Sequence, residues 1–191
     1  MSPEAREALH RQGFVAGDRS RICFEDFEGP YRWMAARMAE RLPPPPDGTE
    51  AWPVWAWSRW RGLDAPDPLA EEYAGQDLWI VAFDARPEDA LLSCFESWHY
   101  VLNGWYLPDL HAQDEGEAEG EAFDAELEAA GVRWLDRPWP SPFRERAEAS
   151  WERVFDVREG TQDVQATLWR IDAARIVSET PAGRLAGGLK R

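Results

Sequence analysis

Cysteine and histidine are scarce in this 191-residue chain, with two of the first and three of the second. Cys23 and Cys94 stand far apart, and His10, His99 and His111 are equally scattered. A zinc centre gathers several such ligands at short spacing, so the sequence offers no metal site. The two thiols read as reduced and buried, as in a reducing cytosol. No glycine-rich phosphate loop, His-Glu-x-x-His, Cys-x-x-Cys or Gly-x-Ser-x-Gly occurs, so the commonest motif-borne chemistries are missing. Long apolar runs are missing too. Leu78 to Phe83 is the longest, Ala90 to Leu92 is shorter still, and both fall well short of a bilayer's thickness. Ser2, Pro3 and Glu4 open the chain without a basic-then-apolar secretion signal. The expected location is the cytoplasm.

What is present is acid and tryptophan. The formal charge is −15, and a field of that sign repels phosphate backbones and anionic membranes. Asp109 to Glu128 holds nine of the acids and no Lys or Arg, so more than half of the net charge sits in one stretch. Twelve tryptophans are several times the ordinary share. Each is bulky and carries an N–H that needs a partner. They fit either a heavy core or a stacking surface for a flat ligand. The apolar fraction of 44% supports a folded chain with a core.

The pattern predicts an α+β fold: one domain over 1–180, with helices on a mixed or antiparallel sheet of about four to six strands. Ser2 and Pro3 read as cap and first turn of a helix ending near Gly13. Tyr31, Met34 and Met38 follow three-and-four spacing on a second helix, regular from Pro30, and should face the core. Trp52 to Trp60 alternates as a strand, with Val54, Ala56 and Ser58 on one face and Trp55, Trp57 and Arg59 on the other. Asp77 to Asp84 and Ala90 to Phe95 read as further strands, the latter running into a helix over Glu96 to Leu107. Residues 109–121 read as an exposed, mobile acidic loop, with Asp114 to Glu121 dispensable for folding. A short helix follows at Phe123 to Ala130. Ser141 reads as the cap of a helix reaching Phe155. Val164 to Ile171 reads as one late strand, and residues 181–191 as a frayed tail.

Three constellations could carry chemistry. Glu96, His99 and Asn103 fall at i, i+3 and i+7 and share one helix face, with Trp98, Leu102 and Trp105 on the apolar side. A carboxylate beside an imidazole would raise its basicity and fix its tautomer, and Asn103 would hold a substrate amide. The plain alternative is a solvated helix face, or a His99 ring bonded to a backbone carbonyl. The second constellation is aromatic. Trp55 and Trp57 share a strand face with Arg59, and Trp33 stands four residues before Arg37 as a cation–π pair. Such a slot would stack a nucleobase or nicotinamide and hold a phosphate; the alternative is ordinary core. The third is Gln165, Thr167 and Trp169 on one face of the late strand, read otherwise as an edge strand with a wet face. The sharpest arrangement places Glu96, His99 and Asn103 in one cleft with Trp55 or Trp57.

Tyr31-Arg-Trp-Met34, Pro53-Val-Trp-Ala-Trp57, Leu91-Leu-Ser-Cys-Phe-Glu-Ser-Trp-His-Tyr-Val-Leu-Asn103, Ser150-Trp-Glu-Arg-Val-Phe-Asp156 and Gln165-Ala-Thr-Leu-Trp-Arg-Ile171 together resemble the bacterial family of domain of unknown function 3841, over nearly the whole chain. The resemblance implies no activity. It implies a strand with a Thr-Ile-Gln motif ahead of the first helix, which this sequence lacks, and an Asp at the place of Cys94. The order of elements is also similar in pattern to ADP-ribosyltransferase-like folds. That analogy implies NAD or a nucleotide as ligand, with Tyr31 or a Trp against the nicotinamide and His99 and Gln165 holding ribose or orienting a nucleophile. Catalytic candidates are then His99, Glu96 and Gln165. Ligand-binding candidates are Tyr31, Trp33, Trp55, Trp57, Arg59, Trp98 and Asn103. The other reading is a non-catalytic interaction domain that offers its aromatic surface and acidic loop to a basic protein.

Overall fold

A computed structural model describes residues 1–182 except positions 23, 48, 65, 69 and 74. The expectations for Cys23 and for most of the tail therefore lie outside the described residues.

Helix α1 (Pro3–Gln12) starts as its sequence dictates. The Ser2 side chain accepts the Ala5 N–H, and Gly13 in the left-handed region ends it with an N–H bonded to the Leu9 carbonyl. Strand β1 (Phe14–Ala16) follows. Helix α2 (Glu28–Arg41) begins two residues before Pro30, which sits in the first turn, where its missing N–H costs nothing. Pro30, Met34 and Met38 form its buried stripe, as the spacing predicts. The next strands are β2 (Val54–Arg59), β3 (Leu78–Phe83) and β4 (Leu91–Cys94), with α3 (Phe95–Leu102) directly after β4. Helices α4 (Asp114–Ala129) and α5 (Phe143–Ser150) come next, then a 3-10 turn over Trp151–Phe155. The chain closes with β5 (Val164–Leu168), β6 (Arg170–Asp172) and β7 (Ile176–Ala182).

The α+β expectation holds. The strands are all antiparallel and are divided among three small sheets, ordered β2-β5-β4, β3-β7 and β1-β6. The late strand is two strands, because the chain changes sheet between Leu168 and Arg170. Gln165 and Thr167 do not lie on a wet edge. Strand β5 is the centre of its sheet, and all five of its residues are buried.

The acidic stretch corrects the sequence reading most sharply. From Asp114 onward it is a helix and continues through the short helix expected at Phe123. Its inward residues explain why. Gly116 is buried so closely against the Asp109 carbonyl that a Cβ there would collide with it, and Gly120 lies over Pro108. Phe123 and Leu127 enter a cluster with Trp139 and Ala147. Glu119 is the electrostatic anchor. Its carboxylate meets the Arg153 guanidinium at 2.8 Å on both oxygens, accepts the Tyr106 hydroxyl at 2.6 Å and accepts the Asp109 N–H. Arg153 above all, offset by partial burial, then Tyr106 and the Asp109 amide, bring its pKa down to about 2. Asp114 to Glu121 thus contributes packing and an ion pair.

Other ends shift for local reasons. Helix α3 stops at Leu102, where the Asn103 side chain caps its own helix. Ser141 bonds the Glu145 side chain, and α5 begins only after Pro142.

Half of the twelve tryptophans sit in or against the core clusters. Trp98, Trp151 and Trp169 join Met34, Met38, Val101, Leu107 and Val154, with Trp33, Trp55 and Tyr31 packed against them. The indole N–H groups of Trp151 and Trp169 reach backbone carbonyls at 2.7 and 2.9 Å, so burial leaves them satisfied.

Candidate cleft between two strand edges

The β2-β5-β4 sheet has two unlike faces, and β5 sorts them. Trp55 pairs with Thr167 and Trp57 with Gln165, while Leu91 and Ser93 stand opposite Thr167 and Gln165 from the other side. Paired residues point to the same face. That face lies under α2 and α3. Trp55 packs 4.6 Å from Trp98 and 5.7 Å from Tyr31, and the Thr167 hydroxyl donates to the Leu91 carbonyl beside Met34.

The opposite face carries Val54, Ala56, Ala166, Leu168 and Leu92. It forms part of the wall of a cavity of about 1250 Å³. The cavity is lined by every residue of β2 from Val54 to Ser58 and every residue of β3 from Leu78 to Phe83. Lining by consecutive residues, whichever way their side chains point, means that strand edges themselves border the space. Ala5 and Ala8 of α1 also line it, as do Tyr31 of α2 and Trp52, Tyr73 and Trp79. Small residues on the floor, at Ala56 and Ala166, leave the room that larger ones would fill.

At one end the cavity shares Phe83, Arg86, Leu168 and Ile171 with a second cavity of about 250 Å³. This one is lined by Asp84, Asp89, Arg170, Asp172 and Arg175. Its cations are paired. Asp89 holds both Arg86 and Arg175 at 2.8 Å, which keeps the Asp89 carboxyl below its usual range, Arg86 contributing most.

Of the ten candidate residues, Tyr31, Trp55 and Trp57 line the large cavity. Gln165 is buried on the helix-covered face, and its Oε1, the neighbouring Ser93 Oγ and the Trp55 indole N–H find no partner among the described residues. Trp33 and Trp98 are core. Trp33 stacks on Phe155, and the predicted Arg37 pair forms, with the guanidinium 5.4 Å from the Trp33 ring centre. The Arg59 guanidinium donates to the Thr161 carbonyl at 3.0 Å, a backbone partner in place of the anion that its strand position suggested.

Glu96 and His99 are exposed. Their helix face turns inward on itself: His99 Nδ1 lies 3.0 Å from the Phe95 carbonyl, and the Asn103 amide donates to the His99 carbonyl at 2.7 Å. The plain alternative for His99 is therefore the geometry found. His99 still reaches the aromatic strand through one ring, packing 4.5 Å from Phe95, which packs 4.8 Å from Trp57. Among the described residues no three His, Cys, Asp or Glu side chains gather as they would around a metal ion. No helix among them is long and apolar enough to cross a membrane.

The signal for the cleft was in the sequence but faint. Ala56 and Ala166 fall on one face of their strands, where an interior strand would carry larger residues. Backbone edges have no residue signature at all.

Neither the curated proteins nor the solved structures contain a match to this chain. One family model does match, over residues 3–177, from α1 into β7, and covers most of the residues that line the cleft. The chain belongs to the family described as domain of unknown function DUF3841.

Proposed function

We propose that the protein acts through the cleft between β2 and β3, and that it is a binding domain rather than a catalyst. The supporting observation is the division of the candidate residues. Three of the five aromatic candidates, Tyr31, Trp55 and Trp57, border the cleft, whereas none of the acid–base candidates Glu96, His99 and Gln165 does. An elongated, mostly apolar ligand suits a long cavity with an alanine floor and tryptophan at its rim. The reading keeps the protein in the cytoplasm, which the buried, unpaired Cys94 thiol supports. A net charge of −15 speaks against nucleic acid as the partner.

A second reading, a nucleotide or NAD site, draws on the adjoining cavity. A ring laid along the cleft would point its phosphates past Arg86 toward Arg170 and Arg175. Phosphate would then have to displace Asp89 from its two arginines, which weighs against this reading.

One thermal-shift series tests both, because a ligand that binds only the folded chain raises the melting temperature by mass action. NAD and ADP should leave it unmoved. Filling the floor with Ala56→Leu should leave the fold standing and abolish the shift given by any small molecule or peptide that binds. A shift with NAD that Arg86→Ala removes would favour the nucleotide reading. A shift that survives Ala56→Leu would remove the cleft from the function.

A further inference from the structure

The cleft has the form of a missing strand. Among the described residues β2 pairs as a strand only with β5, and β3 only with β7, apart from a two-bond contact between Trp79 and Met1 on the other edge of β3. The other edges of both border the same cavity. In an antiparallel pair, residues turn their N–H and C=O alternately toward the partner and away from it. Trp79 shows which way β3 is turned. Its carbonyl accepts from the Met1 amine, and its N–H donates to the Met1 carbonyl, each at 2.8 Å. Both groups therefore point away from β7. Pro181, the residue opposite Trp79, agrees, since a proline can stand only where no ladder N–H is needed. Two residues on, Val81 must also present its N–H and C=O to the cavity side, and among the described residues nothing there receives them. By the same alternation every second residue of β2 turns its N–H and C=O away from β5.

Helical residues line part of the rest of the cavity, beside β1 and connecting segments. Ala5 and Ala8 of α1 line it, as does Tyr31 of α2. Arg6 stacks on Trp79 at 3.9 Å and, with His10, pairs with Glu179 of β7, which fixes α1 over that sheet. Two strand edges with open positions and helical residues nearby are the surroundings of an interior strand. Each strand is six residues long, a length of about 20 Å for an extended chain, with Met1 already on the β3 edge at Trp79.

We propose that the cleft accepts an extended peptide segment of a partner protein, which adds to the free edges of β2 and β3 and joins the two sheets. This rests on the reading of the cleft as the binding site and names the ligand class. Main-chain hydrogen bonds to both edges supply affinity. Alternate side chains of the guest supply specificity, one set against Ala5 and Ala8 and the other toward Tyr31. The guest has apolar or small residues at alternate positions and no proline at its centre. A wide, apolar slot with unpaired N–H and C=O groups suits such a segment better than a compact small molecule, which would leave the edges unsatisfied.

The test is selection of a displayed library of random linear peptides against the full chain, then titration of the selected peptides. The expected peptides alternate apolar residues, and methylating their backbone nitrogens on alternate residues weakens binding about tenfold or more, as loss of ladder bonds requires. Exchange of the Val81 amide with solvent slows in the complex. Val81→Pro removes that amide without touching the β7 ladder and abolishes binding; if this variant fails to fold, Val81 exchange in the natural chain decides. Selected peptides that tolerate backbone methylation in every register, or that protect amides outside β2 and β3, would overturn strand addition while leaving the cleft as a binding site. Failure to select any peptide would overturn it as well, and the thermal-shift series then judges the cleft separately. Self-association of the purified chain that protects the same amides would show a second copy to be the occupant and would also overturn the proposal.

Discussion

The two faces of the β2-β5-β4 sheet are built from the same strands and differ in everything else. One face carries Trp55, Trp57 and Thr167 and is sealed under α2 and α3. The other carries Val54, Ala56 and Ala166 and floors an open cleft. Alternation along a strand sets both, since each residue's neighbours in sequence fall on the opposite face. The difference lies in volume. Indole rings fill the space up to the helices, while alanine methyls stop short and leave a cavity behind. On this sheet tryptophan marks where the interior is finished, and alanine marks where it is open.

The contrast is broken most strongly at Trp98, which is 2% exposed and wedged against Trp55 and Tyr31. Trp98→Ala should cost about 3–5 kcal/mol, whereas Leu92→Ala on the cleft face, 42% exposed, should cost under about 1 kcal/mol. Denaturant unfolding of the two variants measures both; equal losses would mean that the cleft face is as tightly packed as the helix face. A second pair of substitutions sharpens the lesson about volume. Gly116→Ala puts a methyl into the Asp109 carbonyl and should destabilise by about 1–3 kcal/mol, while Gly29→Ala in α2 meets open space and should be neutral or slightly stabilising. The melting temperatures should move in opposite directions or differ by several degrees.

The smallest expected effect is electrostatic. Glu119 has a pKa near 2 in the folded protein against an ordinary 4.5. A carboxylate whose folded pKa is depressed contributes stability that is fully present above the unfolded value and lost as pH falls toward the folded one. Part of the acid destabilisation between about pH 5 and pH 2 should therefore vanish in Glu119→Gln, which starts less stable at neutral pH. Thermal melts across that range check the slope. An unchanged slope would show that α4 is held by Phe123 and Leu127 alone.

These particulars also say what a sequence can carry. The caps of α1 and the stripe Pro30, Met34, Met38 are local signals, and they appear where spacing and residue type put them. The acidic helix was hidden because its packing face includes Gly116 and Gly120, which count as blanks in an apolar pattern although each is a point of close approach. Spacing put Glu96, His99 and Asn103 on one helix face, and the helix holds the first two while Asn103 falls just past its end. It could not reveal that the His99 ring and the Asn103 amide would bond to carbonyls of their own helix, the nearest acceptors available. Tyr31, Trp55 and Trp57 were legible as a group, yet their shared cleft depends on two strands far apart in sequence leaving their edges unpaired, which no local pattern records.

Helix α1 has a partner that is made last. Its residues Arg6 and His10 hold Glu179, and β1 just behind it pairs with β6 near the far end of the chain. While the polypeptide is still being synthesised, the first helix and first strand wait through some 150 residues before these contacts exist, although Trp79, which Arg6 covers, is made sooner. A ribosome that stalls before Ile176 releases a chain in which β1 can meet β6 while Arg6 and His10 lack Glu179.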